Sequence, residues 1–405
     1  MTPHKRIESL DYLRGIALIF IILFHSSIYN FANIHKIDFS NPPIVVVLMS
    51  FMALWGGIFI IYSMAANAMM LMKRNQEGAH KHILLYPVIA GAIYLFLHYV
   101  LNIFLGRWNN DFINNRPDMT AVASTLRNMQ LTLPHLTKLF EGSSLSTIAL
   151  NLMIVSGVIY LLFRNGGATK YVKNYLILAI SGMAIMLGSF IRVSLFPLFT
   201  QSIETQNHLL ATLYSFTLAN PYPLLPYLAY GLFGALIGMM IYQKHDRWLK
   251  RFIMPLGILF LTYGIYGIMQ FDKTISKPDY FWYFKTNFEL GIFILLFIFT
   301  YFVVEPNIRF LKKLSFITWF SRVSLSIYLL ETTLSELVRI VWSSVNPSWN
   351  QTINGSLLFG VGNIFLWILI LWIWKRSNFK YSLEYFWVKW FDKLGKQSTK
   401  METLL

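Results

Sequence analysis

The sequence predicts an all-α membrane protein, a polytopic bundle of about ten transmembrane helices with both termini in the cytoplasm. The first observation is composition: 56% of the 405 residues are hydrophobic and only 13% are charged, whereas about 25% of a soluble domain is charged. The second is that the apolar residues recur in stretches long enough to cross a bilayer. The third is that Lys and Arg are distributed unevenly between the connecting segments. Lipid is therefore the simplest partner for the apolar surface.

The apolar stretches define the expected helices, because about 20 residues of α-helix cross a bilayer. They lie at 12–31, 44–72, 83–106, 144–163, 174–197, 223–243, 252–271, 286–304, 316–343 and 354–374. The second and the ninth exceed the required length, which predicts a tilt or a kink. We assign residues 1–375 to a transmembrane domain and residues 376–405 to a cytoplasmic tail.

The basic residues predict the orientation. With the N-terminus inside, every inner segment carries Lys or Arg, whereas the outer segments 198–222 and 344–353 carry neither, as the positive-inside rule requires. The net charge of +16 then follows from topology, so that no nucleic-acid partner is expected. The protein is expected to be multi-pass in the cell (plasma) membrane.

The long outer segments 107–143 and 198–222 are interpreted either as short re-entrant or interfacial helices or as surface loops.

Part of the tail is predicted to lie on the membrane surface. From Phe379 to Lys396 the sequence FKYSLEYFWVKWFDKLGK mixes aromatic residues with Lys at helical spacing. This pattern is typical of an amphipathic helix on an anionic leaflet.

The chain contains no cysteine. Thiolate catalysis, zinc–thiolate sites and iron–sulfur clusters are therefore excluded. We predict no metal site.

Two ionisable residues share the first predicted helix. Arg14 lies just inside its inner boundary, and His25 follows 11 residues later, about 16 Å along the axis. Because a charge at membrane depth costs roughly 2.5–3.5 kcal/mol, each such residue needs a reason. His25 is interpreted either as a general base in the outer half of the membrane or as a structural histidine that bonds two helices.

Other ionisable or polar groups fall at a matching depth on four further predicted helices, which indicates either a shared cavity open to the outside or independent snorkelling. They are His98, Asn102, Arg192, Glu289, Glu331, Glu336 and Arg339. The i,i+3 spacing of Glu336 and Arg339 also allows them to pair with each other. On the inner side, Arg14 and Arg322 lie within helices and are candidates to hold an anionic ligand such as a nucleotide phosphate.

Five strings of the sequence carry a resemblance. They are RIESLDYLRGIA at 6–17, WGGIFIIYS at 55–63, PLLPYLAYGLFG at 223–234, FSRVSLSIYLLE at 320–331 and FKYSLE at 379–384. Together they resemble the membrane acyltransferase superfamily, which includes acyltransferase-3 sugar O-acyltransferases, YeiB-like bacterial membrane proteins and heparan-glucosaminide N-acetyltransferases. Met64 and Ser382 depart from the family pattern, in which Gly follows Ser63 and a Gly-Pro precedes the tail leucine.

The resemblance implies a function. Acyl-CoA, with acetyl-CoA as the expected form, would be the co-substrate on the cytoplasmic side, where Arg14, Arg322 and Ser63 are the implied donor-binding residues. The acceptor would be a hydroxyl or amine of an extracytoplasmic glycan or lipid-linked sugar. The implied catalytic residues are His25, Arg14 and Glu331, with His35 in reserve because one branch uses a later histidine. Transfer could be direct or pass through an acyl-histidine.

A carrier or flippase that uses the same cavity without chemistry is the alternative function. Alternating access favours inverted repeats with broken helices at matching positions, and we find no such repeat in the sequence. The number of copies in the membrane is left open, with a homodimer as one arrangement.

Overall fold

A computed structural model describes residues 7–37, 42–76, 84–106, 120–131, 133–134, 136–219, 221–271 and 279–390. Within these ranges the chain is all-α and contains no strand. The helices are α1 (Glu8–Ser27), α2 (Ile44–Ala53), α3 (Ile58–Gln76), α4 (Leu85–Val100), α5 (Ala121–Asn128), α6 (Ser144–Phe163), α7 (Tyr171–Gly188), α8 (Ile191–Glu204), α9 (His208–Thr217), α10 (Leu224–Tyr242), α11 (Asp246–Trp248), α12 (Met254–Ile268), α13 (Tyr280–Phe299), α14 (Phe316–Arg322), α15 (Ser324–Val345) and α16 (Ile353–Arg376).

Nine helical segments of the described residues are long and apolar enough to cross a membrane. They are Glu8–Asn30, Ile44–Gln76, Leu85–Leu105, Ser144–Thr169, Tyr171–Gly188, Leu224–Tyr242, Asp246–Ile268, Tyr280–Leu314 and Ile353–Arg376. These spans support the predicted multi-pass architecture.

The predicted ninth helix, 316–343, differs from the structure. It is broken at Val323 (φ −123°, ψ 39°) into α14 and α15. Helix α15 is long enough to span, but it carries three charged residues, whose side chains are buried: Glu331, Glu336 and Arg339. Its polar face therefore lies inside the protein, which is why hydropathy alone does not mark it as a span. The predicted helix 174–197 is likewise divided, since α7 ends at Gly188.

Contacts divide the chain into two compact units. The first unit comprises the described residues of Leu54–Ile103 and His135–Pro306, and the second those of Ile7–Ala53, Phe104–Pro134 and Asn307–Leu405.

In the first unit, α3 and α10 lie at a close approach made possible by glycine. A Cβ at Gly234 would overlap the carbonyl oxygen of Ile61, and one at Gly238 would overlap that of Ala65. Small residues four apart are a recurrent device for close helix packing in membranes.

In the second unit, α1 packs against α14, α15 and α16. Glu8 and Asp11 lie in the first turn of α1 and His25 lies in its last turn, an order that matches the helix dipole. Helix α16 begins at a side-chain cap, since Thr352 accepts a hydrogen bond from Gly355 N. It ends with Lys375 and Arg376 in its last turn.

Both long segments that the sequence predicts to lie outside, 107–143 and 198–222, contain a short helix. Thr120 caps α5, and Asn207 caps α9. Residues 107–119 lie outside the described residues.

The tail is joined to α15 by a carboxylate. Residues 383–390 are helical, and the rest of the predicted amphipathic helix lies outside the described residues. Glu384 Oε1 accepts from Leu325 N at 2.5 Å and from Ser326 N at 3.2 Å, and its Oε2 accepts from Ser326 Oγ at 2.7 Å. Leu383 N donates to Ser326 Oγ at 2.9 Å. The carboxylate thus satisfies amides at the N-terminus of α15, where a negative charge is favoured.

Replacing Glu384 with Ala is expected to lower the free energy of unfolding by about 2 kcal/mol, because the amides and the hydroxyl lose a charged acceptor. Thermal unfolding in detergent measures the change. Glu204→Ala is the matched control, since Glu204 is exposed at the end of α8 and its loss should change stability by less than about 0.5 kcal/mol. Equal melting temperatures for the two variants would show that the carboxylate does not anchor α15.

Candidate active site

A histidine–carboxylate pair lies between α1 and α15. His25 Nδ1 is 2.6 Å from Glu331 Oε1, and Thr332 Oγ1 donates to the same oxygen at 2.8 Å. The Glu331 side chain is 3% exposed and that of His25 is 28% exposed. A carboxylate accepts, so the proton of the neutral ring is assigned to Nδ1. This tautomer makes Nε2 the basic nitrogen.

Three buried oxygens belong to Glu331 itself or to residues close to the pair in the sequence. Glu331 Oε2, Ser26 Oγ and Ser335 Oγ are buried and form no hydrogen bond within the described part of the chain. Ser335 is four residues beyond Glu331, so both lie on one face of α15. Buried polar atoms usually have a partner. The arrangement therefore has the capacity to bind water or a polar molecule.

The face of α16 that packs against α1 also carries buried polar atoms. Ser27 Oγ of α1 packs against Gly360, where a Cβ would overlap it. Ser27 Oγ, Ser356 Oγ and Asn363 Oδ1 are buried without a hydrogen-bond partner in the described chain. Ser356, Gly360 and Asn363 follow helical spacing and share one face of α16.

Arg14 joins α1 to α14. Its Nε donates to Ser321 Oγ at 2.8 Å and one terminal nitrogen donates to Ser321 O at 2.9 Å. The same terminal nitrogen is 3.4 Å from Asp11 Oδ1. The Arg14 side chain is 35% exposed, and Arg322, the residue after Ser321, is exposed. The guanidinium of Arg14 is thus positioned by protein and retains an accessible part.

The remaining predicted site residues do not join the pair. His35 lies in the exposed 3-10 turn Ile34–Lys36 of the second unit, and no hydrogen bond between it and His25 or Glu331 is present. Ser63 is half-buried on α3 in the first unit. Glu336 and Arg339 form the pair that their spacing predicts, at 2.6 and 2.9 Å.

His98 and Asn102 have structural partners in the first unit. His98 Nδ1 is 2.8 Å from Ser143 Oγ, and Asn102 Nδ2 donates to Glu141 O at 2.8 Å. These contacts connect α4 and the π-helical turn that follows it, Leu101–Leu105, to the residues that precede α6. His98 thus contacts the N-cap residue of α6.

A second polar centre occurs in the first unit. Glu289, 2% exposed, lies 3.3 Å from Lys285 Nζ and accepts from the hydroxyls of Tyr227 and Tyr230 at 3.4 Å each. The Arg192 guanidinium lies 3.7 Å from the centroid of the Trp282 ring. Glu289 and Arg192 could be selected from the sequence because they are charged residues in apolar stretches. Tyr227 and Tyr230 lie in the apolar string 223–234, and no sequence feature indicates that they contact a carboxylate.

Sequence reasoning also missed the partners that hold Arg14. Asp11 and Ser321 contact it, and Ser321 lies 307 residues away in the chain. No local pattern reveals a contact at that separation.

Comparison of the chain with protein-family models, with curated proteins and with solved structures found no match. The resemblance to membrane acyltransferases therefore rests on the sequence motifs alone.

Proposed function

We propose that the chain is an acyl-CoA-dependent membrane acyltransferase of the cell membrane, with cytoplasmic termini, in which the His25–Glu331 pair is the general base. The 2.6 Å contact between His25 Nδ1 and Glu331 Oε1 is the observation that carries the proposal. A buried carboxylate that orients an imidazole is the arrangement by which enzymes prepare a histidine to take a proton.

The pair would work through the nitrogen opposite the carboxylate. Glu331 accepts the Nδ1 hydrogen of His25 and holds the ring, while Nε2 takes the proton of the acceptor hydroxyl or amine. The acceptor oxygen or nitrogen then attacks the carbonyl carbon of the thioester. A C–O or C–N bond forms, the C–S bond breaks, and the CoA thiolate receives the proton from the imidazolium to leave as CoA–SH. In the relay variant, Nε2 attacks the thioester carbon first, so that an N–C bond forms, the C–S bond breaks and CoA leaves as the thiolate. The acceptor then attacks the acyl-histidine, the N–C bond breaks to return the neutral imidazole, and the acceptor's proton passes to the CoA thiolate.

The donor would be held through its phosphates. Arg14 and Arg322 offer cationic groups that form strong charge-assisted hydrogen bonds with phosphate. Arg14 is already oriented by Ser321, so little side-chain entropy remains to be lost when a ligand binds. Ser63 stays a donor-binding candidate on the resemblance alone.

The acceptor would meet the unsatisfied polar atoms beside the pair. Within the described part of the chain, Ser26 Oγ, Ser335 Oγ and Glu331 Oε2 are buried and have no hydrogen-bond partner, and a hydroxyl-rich molecule supplies partners for such atoms. This favours a glycan or a lipid-linked sugar over an apolar acceptor.

The test uses the full chain in lipid nanodiscs with acetyl-CoA labelled in the acetyl group and a lipid and glycan extract of the expressing membranes as acceptor. Label transfer and release of CoA–SH are measured together. Because the chain has no cysteine, a thiol-reactive dye reports CoA–SH without a background from the protein. We expect equal amounts of transferred label and CoA–SH. Absence of both, with no binding of CoA, would refute the proposal and favour the carrier.

A further inference from the structure

An apolar groove runs between α14 and α16 in the second unit. Its volume is about 450 Å³, and it is lined by Phe316, Trp319, Phe365, Ile368, Leu369 and Trp372. Helix α16 is also one of the candidate membrane spans. A groove lined by aromatic and aliphatic side chains on a candidate membrane span is suited to an acyl chain, since its surface is almost entirely apolar.

Two cations lie at one end of this groove. Lys375 Nζ is 4.7 Å from the centroid of the Trp319 ring, and the Arg376 guanidinium carbon is 4.0 Å from that of the Trp372 ring. Both rings line the groove, so the cation–π contacts fix the charges at its rim. In the described chain neither cation forms an ion pair with a carboxylate, and both side chains are exposed.

More positive charge precedes α14 in the sequence. Lys312 and Lys313 are exposed in the segment Glu305–Leu314, which precedes Phe316 at the start of α14. The groove therefore combines an apolar lining with two cations, Lys375 and Arg376, that lie against two of its aromatic rings.

We propose that this groove is a binding site for a phospholipid with an anionic headgroup. One acyl chain lies along the aromatic and aliphatic lining, and the phosphate lies against Lys375 and Arg376. Charge complementarity selects the lipid: a zwitterionic headgroup brings its own cation to a rim that is already positive, whereas an anionic headgroup does not. Each cation near the surface raises the affinity for an anionic lipid by a factor of about five, so two give a preference of about 25-fold.

Native mass spectrometry of the full chain with equimolar dioleoylphosphatidylglycerol and dioleoylphosphatidylcholine measures this preference. The double variant K375Q/R376Q should lose most of it. The matched control K170Q/K173Q removes two exposed charges beside α7 and should keep it. Ile368→Trp fills the groove but leaves the rim cations, and it should reduce retention of both lipids at this site.

Three results would overturn the site. They are equal retention of the two lipids by the wild type, the same loss of preference in both double variants, and unchanged phosphatidylglycerol retention in Ile368→Trp. Melting temperatures of all variants separate loss of the site from loss of the fold. The assay involves no acyl transfer, so it stands or fails independently of the proposed activity.

Discussion

Replacing Glu331 with Gln is expected to lower the rate of acyl transfer by about 10²–10⁴-fold without unfolding the protein. The amide has nearly the same shape, but it offers an NH₂ as well as a carbonyl to the ring. The imidazole then loses its charged acceptor, and the proton can move to Nε2, where the base is needed. His25→Ala should cause a loss of at least the same size, and the initial rate of CoA–SH release measures both.

The control for this prediction is His35→Ala. His35 is exposed in a turn, so its removal should change the rate by less than about twofold if His25 is the base. Partial recovery of His25→Ala by added imidazole would separate lost chemistry from lost structure. A fully active His25→Ala together with an inactive His35→Ala would reject the assignment and transfer the role to His35.

Gly15→Ala is expected to lower the free energy of unfolding by about 3 kcal/mol. Helix α1 approaches α14 so closely at this position that a Cβ would overlap the carbonyl oxygen of Ile317. A backbone oxygen cannot rotate away as a flexible side chain can, so the two helices must separate. Arg14 next to it bonds Ser321 on α14, and separation would stretch that contact as well. Thermal unfolding in detergent measures the loss.

Gly362→Ala is the matched control for the packing argument. A Cβ at Gly362 on α16 meets no heavy atom within 4 Å. Since Ala favours a helix over Gly by about 0.5–1 kcal/mol, this variant should be as stable as the wild type or slightly more so. Equal destabilisation by both substitutions would show that the α1–α14 approach is not a tight one.

The membrane-spanning helices could be predicted because their signal is local. About 20 consecutive apolar residues are enough to cross a bilayer wherever they occur. The predicted stretch 354–374 lies within the candidate span Ile353–Arg376, and the stretch 12–31 runs one residue beyond the candidate span Glu8–Asn30. The break at Val323 could not be predicted in this way. It divides an apolar run whose second part, α15, turns a charged face toward protein, and hydropathy does not distinguish protein from lipid as the neighbour of a helix.

Some residues of the candidate site could likewise be predicted from the sequence, whereas their contacts could not. Arg14, His25 and Glu331 were marked by charge at membrane depth, which the sequence reveals because each such residue is costly in lipid. Their partners were not marked. Ser321, which bonds Arg14, is an ordinary polar residue, and its role depends on a residue 307 positions away in the chain.

The sequence by itself determined that this is an all-α, multi-pass membrane protein and which residues are too polar for lipid, because both follow from the free energy of transferring single segments into a bilayer. The acyltransferase assignment rests on its motifs and stays a prediction. Only the tertiary structure decided that His25 meets Glu331 across 306 residues of chain, that Arg14 is held by α14, and that α14 and α16 enclose a groove with a cationic rim. These contacts arise from helix packing, and no local pattern contains the distance between two helices.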